Sequence, residues 1–86
     1  MAGIELEIRY FAWLRERLGM SAERITADVA DVAGLVAWMR TRGPAHAAAF
    51  AGENRVRCAV NQEFAQPDQA IHAGDEVAFF PPVTGG

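Results

Sequence analysis

Residues 75–86 have the sequence DEVAFFPPVTGG, and this stretch decides how the fold ends. Its EVAFF segment alternates between two faces with the period of a β-strand, so Phe79 and Phe80 must point to opposite sides of a sheet. Pro81 and Pro82 then donate no backbone hydrogen bond and hold φ near about −65°, so the strand must end and the chain must leave the sheet stiff and extended. The sequence therefore predicts a final strand followed by a projecting tail.

The tail ends in two glycines. Val83, Thr84, Gly85 and Gly86 would reach about 13 Å if fully extended, at about 3.3 Å per residue. Because glycine has no Cβ, the last two residues can pass through a narrow channel, which suits a terminal carboxylate that is itself a substrate. The alternative is an ordinary chain end, since small and polar termini are common. We predict that the carboxylate of Gly86 is the reactive group, because a stiffening proline pair precedes it.

Length and composition predict one domain with a modest core. The chain has 86 residues, 51% of them hydrophobic and 22% charged, which is too apolar for a disordered protein. A net charge of −3 favours neither nucleic acid nor an anionic membrane as partner. The single cysteine, Cys58, excludes an internal disulfide and fits a reducing compartment. With neither a signal peptide nor an apolar run of about 20 residues, we expect a cytoplasmic protein. The sequence contains no cluster of metal ligands.

The first third of the chain predicts two strands with a short helix between them. The first strand carries four apolar side chains on one face, at Ile4, Leu6, Ile8 and Tyr10. The apolar positions of the helix are Phe11, Leu14, Leu18 and, as a further candidate, Trp13. Gly19 is placed to end this helix, and residues 21–27 form a weaker strand that should pair antiparallel with the first.

The rest of the chain predicts a long helix and three more strands. Asp31 suits the N-cap of a helix over residues 32–42, in which Gly34 costs about 1 kcal/mol relative to alanine without an evident packing reason. The inward stripe of this helix is Val32, Leu35, Val36 and Met39. Residues 45–51 form a further helical turn. Later signals are a strand with Val56, Cys58 and Val60, a turn at Asn61 and Gln62, a short strand from Phe64, a core anchor at Ile71 and a turn at Gly74 and Asp75.

This order of elements predicts an α+β fold with a helix laid across one face of a sheet. Periodicity alone does not choose the strand order. We predict a domain over residues 1–80 and an extended tail over residues 81–86.

The side chains offer little for catalysis within this chain. Cys58 falls in the inward register of its strand, so a buried structural thiol is favoured over a reactive one. His46 and His72 are both expected at the surface rather than as bases or ligands. The terminal carboxylate differs, because ATP can activate it as an acyl-adenylate and a sulfur nucleophile can then displace the nucleotide to leave a thiocarboxylate.

Four stretches carry a family resemblance: FFPPVTGG at the end, GDEV just before it, AVNQ at residues 59–62 and RYFAWLRERLG at residues 9–19. Together they resemble the small subunit of molybdopterin synthase, the MoaD family of sulfur carriers, over nearly the whole chain. The resemblance implies a β-grasp, ubiquitin-like fold with a mixed sheet and a free Gly-Gly tail.

The resemblance also implies partners and a reaction. An adenylating enzyme similar to ubiquitin-activating enzymes would use ATP to activate Gly86, and the resulting thiocarboxylate would enter the large subunit of molybdopterin synthase. There the sulfur would pass to a pterin precursor in molybdenum cofactor biosynthesis. The chain would bind no cofactor and would be the non-catalytic subunit of a heterotetramer.

Several residues would contact the partner. Phe11, Arg15 and Phe80 match family positions that face the large subunit. Pro81, Pro82, Val83 and Thr84 would carry Gly85 and Gly86 into it. The alternative for Phe11 and Phe80 is that other parts of this fold cover them.

Other functions fit the same residues. The nearest is a sulfur carrier for thiamine or cysteine biosynthesis, against which FFPPVTGG is the best evidence. A second is a ubiquitin-like modifier joined to lysines of other proteins. A third is a binding module with an inert tail.

Overall fold

The described part of the chain forms a five-stranded mixed sheet with three helices. The computed structural model describes residues 3–51 and 56–82. Its elements in chain order are β1 (Ile4–Tyr10), α1 (Trp13–Leu18), β2 (Ala22–Ala27), α2 (Val32–Arg40), α3 (Pro44–Ala49), β3 (Arg57–Val60), β4 (Glu63–Ala65) and β5 (Glu76–Phe80). The strand order across the sheet is β2-β1-β5-β3-β4. The central pair β1–β5 is parallel and the other pairs are antiparallel, so the predicted α+β class and the antiparallel β1–β2 pairing are confirmed.

One core holds the helices against one face of the sheet. Alternation along β1 buries Leu6, Ile8 and Tyr10, as the sequence predicted. The helix α2 contributes Val32, Leu35 and Met39, whereas Val36 is only partly buried. The remaining core side chains are Leu14, Ile25, Ala27, Ala49, Phe50, Cys58, Val60, Ile71, Val77 and Phe79. Because every second residue of a strand points away from this core, the opposite face of the sheet stays open.

The start of α2 is tied to the connector before β5. Asp31 is the predicted N-cap, and its Oδ1 accepts a hydrogen bond of 2.8 Å from the amide of Gly34. The amides of Val32 and Ala33 donate to the carbonyls of Gln69 and Pro67. The first three amides of the helix are therefore satisfied, and α2 is held across the sheet.

Gly34 has a packing reason that the sequence did not reveal. A Cβ at this position would lie 3.2 Å from Asp31 Oδ1, the same oxygen that accepts from the Gly34 amide. Glycine therefore leaves room for the cap.

Three predicted boundaries need correction. The first helix begins at Trp13 rather than Phe11, because Ala12 adopts φ 58° and breaks the chain direction between the strand and the helix. The helix α2 ends at Arg40, two residues earlier than predicted, and Thr41 is its C-cap. The next helix ends at Ala49, before the predicted end of its helical turn.

Two of the sequence stretches named above meet at one end of the sheet. Asn61 and Gln62 form the predicted turn between β3 and β4 with φ of 51° and 71°, the left-handed geometry of a two-residue hairpin. The Asn61 side chain donates to Asp75 Oδ1 and accepts from the amide of Glu76, both at 3.0 Å. These bonds fix the entry of β5, the strand that leads to the tail. The same bonds connect the AVNQ stretch, residues 59–62, to the GDEV stretch, residues 74–77.

Candidate functional site

Aromatic side chains cluster on the open face of the sheet where β5 ends. Phe80 is half-buried, and its ring centroid lies 5.8 Å from that of Phe64 with an angle of 56° between the rings. Phe64 itself is 82% exposed. It comes from β4, which is separated from β5 by β3. The two rings therefore meet above β3, and Phe80 lies directly before the start of the tail.

Small side chains let these rings approach each other. Ala59 on β3 is opposite both Phe64 on β4 and Ala78 on β5. Residues directly opposite each other on neighbouring strands project from the same face of the sheet. Ala59 and Ala78 therefore lie on the same face as the two rings. The surface beside Phe64 and Phe80 is therefore apolar and carries only short side chains.

Phe79 and Phe80 point to opposite sides, as predicted. Phe79 is fully buried, with its ring centroid 5.0 Å from Phe50 and 6.3 Å from Tyr10. Phe11 is 47% exposed, and its amide donates to the carbonyl of Phe79 at 3.1 Å, which places its backbone next to Phe80. Other parts of the described chain therefore leave Phe11 exposed and cover Phe80 only in part, and contact of either side chain with a partner stays a prediction. We refer to Phe11, Phe64 and Phe80 as the aromatic face.

The other predicted contact residues fall at different distances from this face. Arg15 lies on α1 and is exposed. Pro81 and Pro82 follow β5 directly and are half-buried. The predicted tail residues Val83, Thr84, Gly85 and Gly86 lie outside the described residues, so their roles stay predictions.

Phe64 is the member of the aromatic face that sequence reasoning missed. The sequence marked it only as the start of a short strand. The signal was available, because a phenylalanine in a three-residue strand of polar surroundings has no apolar partner at i+2. Its meaning depended on knowing that β4 is an edge strand near β5.

Ion pairs occupy the remainder of the open face. Arg9 pairs with Glu76, and it also lies 3.4 Å from Glu7. Arg24 Nε lies 4.0 Å from Glu5 Oε2. Glu76 is partly buried and the other side chains are exposed to a greater extent, so solvent screens each pair and each contributes little to stability. They make this part of the face polar, in contrast to the aromatic face.

A partly buried polar cluster lies on the core side near the end of β1. Glu23 Oε2 accepts hydrogen bonds of 2.6 Å from Tyr10 Oη and from Arg42 Nη1. Burial works to raise the pKa of Glu23, but the hydrogen bonds from Arg42 and Tyr10 outweigh it and hold that pKa below its usual value. Burial, followed by the bond to Glu23, raises the pKa of Tyr10 well above its ordinary range. Glu23 is therefore a fixed carboxylate that joins β2 to β1 and to the segment that follows α2.

His46 belongs to this cluster, and its predicted surface position is wrong. Its side chain is only 12% exposed, with Nε2 3.9 Å from Glu23 Oε2. Within the described part of the chain Nε2 is buried and has no hydrogen-bond partner. Burial, together with the charge of Arg42, lowers the pKa of His46. The alanine-rich helix α3 turns this residue inward, whereas His72 is exposed as predicted.

Cys58 is a buried structural thiol, as predicted. It is 6% exposed on the core side of β3, and burial raises its pKa to about 12. A thiol with that pKa is almost wholly protonated near neutral pH and is a poor nucleophile.

The described residues were compared with two further kinds of site, a metal centre and a membrane-spanning helix. No three His, Cys, Asp or Glu side chains over 3–51 and 56–82 are grouped so that they could hold a metal ion. The longest helix in that part of the chain is α2, with nine residues, and none there is long and apolar enough to cross a bilayer.

The architecture and the sequence define a family. The family profile described as "ThiS family" matches residues 8–86, so the chain belongs to the ThiS family. The mixed sheet with helices on one face matches the β-grasp structures of sulfur carriers in this group, which confirms the expected fold class. The resemblance inferred from the sequence is likewise confirmed.

Individual proteins are similar to this chain over most of its length. The chain is 38% identical to the molybdopterin synthase sulfur carrier subunit of Escherichia coli, over 94% of this chain and 99% of the relative. A solved structure described as molybdopterin converting factor subunit 1 from Pyrococcus furiosus is 29% identical with a TM-score of 0.77, covering 93% of this chain and 99% of that one. The small archaeal modifier protein 1 of Haloferax volcanii is 31% identical with a TM-score of 0.70, covering 94% and 100%.

Proposed function

We propose that this chain is the sulfur carrier subunit of a molybdopterin synthase. The observation that carries the proposal is the 38% identity, over nearly the full length of both chains, to a protein with that function in Escherichia coli. The ending FFPPVTGG supports it from the sequence. The aromatic face supports it from the structure, because it offers a docking surface beside the start of the tail.

The reaction takes place on the terminal carboxylate of Gly86. An adenylating enzyme joins this carboxylate to the AMP part of ATP and releases pyrophosphate. Hydrosulfide or an equivalent sulfur donor then attacks the acyl carbon, AMP leaves, and a thiocarboxylate remains. Sulfur transfer to the pterin precursor, followed by hydrolysis, restores the carboxylate. Because a dithiolene contains two sulfur atoms, two thiocarboxylated chains must each donate one sulfur atom for every molecule of product.

In this proposal the large subunit supplies the catalytic groups and the substrate pocket. The described part of this chain agrees with that division of labour, since its one thiol is buried and His46 is enclosed by Tyr10, Glu23 and Arg42. The chain contributes the sulfur atom and the surface that positions it. It binds no cofactor, and ATP is bound by the adenylating enzyme.

A second candidate is a protein modifier. The 31% identity to an archaeal modifier favours it, and a modifier would use the same adenylated Gly86. The two functions differ in the group that attacks the acyl-adenylate. A sulfur donor produces a carrier, whereas a lysine amine of another protein produces a conjugate.

Intact mass and a transfer assay test the proposal. The chain is incubated with the adenylating enzyme, ATP and sulfide, and we expect one oxygen atom to be replaced by sulfur. The thiocarboxylated chain is then mixed with the large subunit and the pterin precursor. We expect molybdopterin to form while the chain returns to its original mass.

Variants at the end of the chain provide the control. Deleting Gly86, or adding one residue after it, should abolish both thiocarboxylate formation and sulfur transfer. The thermal unfolding temperature should not change, because every core side chain among the described residues precedes Phe80. Charging without pterin conversion, together with conjugates to lysines of other proteins, would favour the modifier instead.

A further inference from the structure

The arginines of the open sheet face differ in whether the chain neutralises them. Arg9 and Arg24 each have a glutamate partner on that face. Arg57 is also exposed, yet it has no ion pair within the described ranges. The protein has a net charge of −3, so this arginine does not reflect a general excess of basic residues.

Arg57 stands at the edge of the aromatic face. It lies on β3 directly opposite Phe80 on β5. Opposite residues have Cβ atoms about 4.5–5.5 Å apart and share one face of the sheet. Cys58, the next residue, points into the core, which is consistent with an outward Arg57. A protein that covers Phe80 must therefore also cover Arg57.

Covering an unpaired guanidinium is costly. The cation loses its hydration, so an uncompensated charge buried in an interface opposes binding. Among the described residues, the glutamates of the open face, Glu5, Glu7 and Glu76, are near other arginines. We therefore expect the compensating group to come from the partner. A carboxylate suits it best, since the planar fork of arginine matches the two oxygens of a carboxylate.

We infer that Arg57 forms an ion pair with a carboxylate of the large subunit when the aromatic face docks on it. This inference rests on the proposed function, because it takes the large subunit as the partner. The aromatic rings supply the buried contact area, and the pair at Arg57 fixes the orientation of that contact. Arg57 is thus a specificity residue of the docking surface, and it does not take part in sulfur chemistry.

Charge variants at Arg57 test the inference against a matched control. Arg57→Gln and Arg57→Glu are titrated against the large subunit of the cognate molybdopterin synthase by calorimetry. The control pair is Arg24→Gln and Arg24→Glu, since Arg24 is exposed on the same face but lies on β2, at the far edge of the sheet. We expect Arg57→Gln to raise Kd about tenfold and Arg57→Glu to raise it further, because the introduced carboxylate repels the partner's. Both Arg24 variants should stay within about twofold of the original chain.

Salt provides a second measurement. Raising NaCl from about 0.05 M to about 0.5 M should weaken binding of the original chain more than that of Arg57→Gln, since the variant lacks the screened interaction. Arg57→Lys should keep most of the salt dependence. Thermal unfolding of each variant verifies that the fold is intact.

The contradicting outcomes are distinct from a failure of the proposed function. Equal losses for Arg57→Gln and Arg57→Glu would mean that only the aliphatic stem makes contact. Tighter binding by Arg57→Glu would place a cation opposite it. Either result overturns the inference while leaving the sulfur carrier function standing. If the original chain does not bind the large subunit at all, the proposed function itself is wrong.

Discussion

Truncation of Phe64 should separate binding from folding. This side chain is 82% exposed, so Phe64→Ala removes little buried surface from the folded chain. A phenylalanine side chain can bury about 150 Å², of which about 120 Å² is therefore still available to a partner. At about 25 cal/mol per Å², its complete burial contributes at most about 3 kcal/mol. Ordering of the interface reduces this value, so we expect a loss of about 2 kcal/mol, or about 30-fold in Kd.

The neighbouring phenylalanines provide the contrast. Phe79 is fully buried between Tyr10 and Phe50, and Phe79→Ala should lower the free energy of unfolding by about 3–5 kcal/mol. Phe64→Ala should change that free energy by no more than about 0.5 kcal/mol. The assay is calorimetric titration against the large subunit, with urea unfolding of each variant measured in parallel.

Two results would refute this reasoning. If Phe64→Ala bound the large subunit within about twofold of the original chain, the aromatic face would not be the docking surface. If Phe64→Ala lowered stability as much as Phe79→Ala, the exposed position of its ring on β4 would be wrong.

Three further predictions concern folding and chemistry in the core. Gly34→Ala should change the unfolding free energy by less than about 0.5 kcal/mol, because crowding of the Asp31 cap offsets the gain in helix propensity. In a chain that already carries Asp31→Ala, the same substitution should stabilise the fold by about 1 kcal/mol. Burial lowers the pKa of His46, so below its unfolded value of about 6.5 the unfolded chain takes up a proton that the folded chain does not, and stability is lost as pH falls. The drop in unfolding temperature between about pH 7 and about pH 5.5 should be smaller in His46→Gln and unchanged in His72→Gln. Cys58 should resist alkylation at pH 7 until the chain unfolds, and rapid labelling of the native protein would show that its thiol is accessible.

Local patterns were sufficient for most of the secondary structure. The alternation in β1 and β5 and the Asp31 cap each depend on neighbours within a few residues, and the structure confirms all three. The pattern failed at Phe11, because its spacing to Leu14 fits a helix although the backbone is still extending the strand pairing there. It also failed at His46, because the alanines of α3 do not mark which side of the helix faces the core.

The sequence by itself led to the chemistry that we propose. The predicted reactive group is the terminal carboxylate, and the signal for it is the order of strand, prolines and glycines in residues 75–86. Only the tertiary structure decided what surrounds the start of that tail. Phe64 reaches Phe80 across an intervening strand because Ala59 is small, and Arg57 comes to lie opposite Phe80 through the register of β3 and β5. The physical reason is that strand order and register arise from contacts between residues far apart in the chain, whereas hydrophobic periodicity records only which side of its own element a residue occupies.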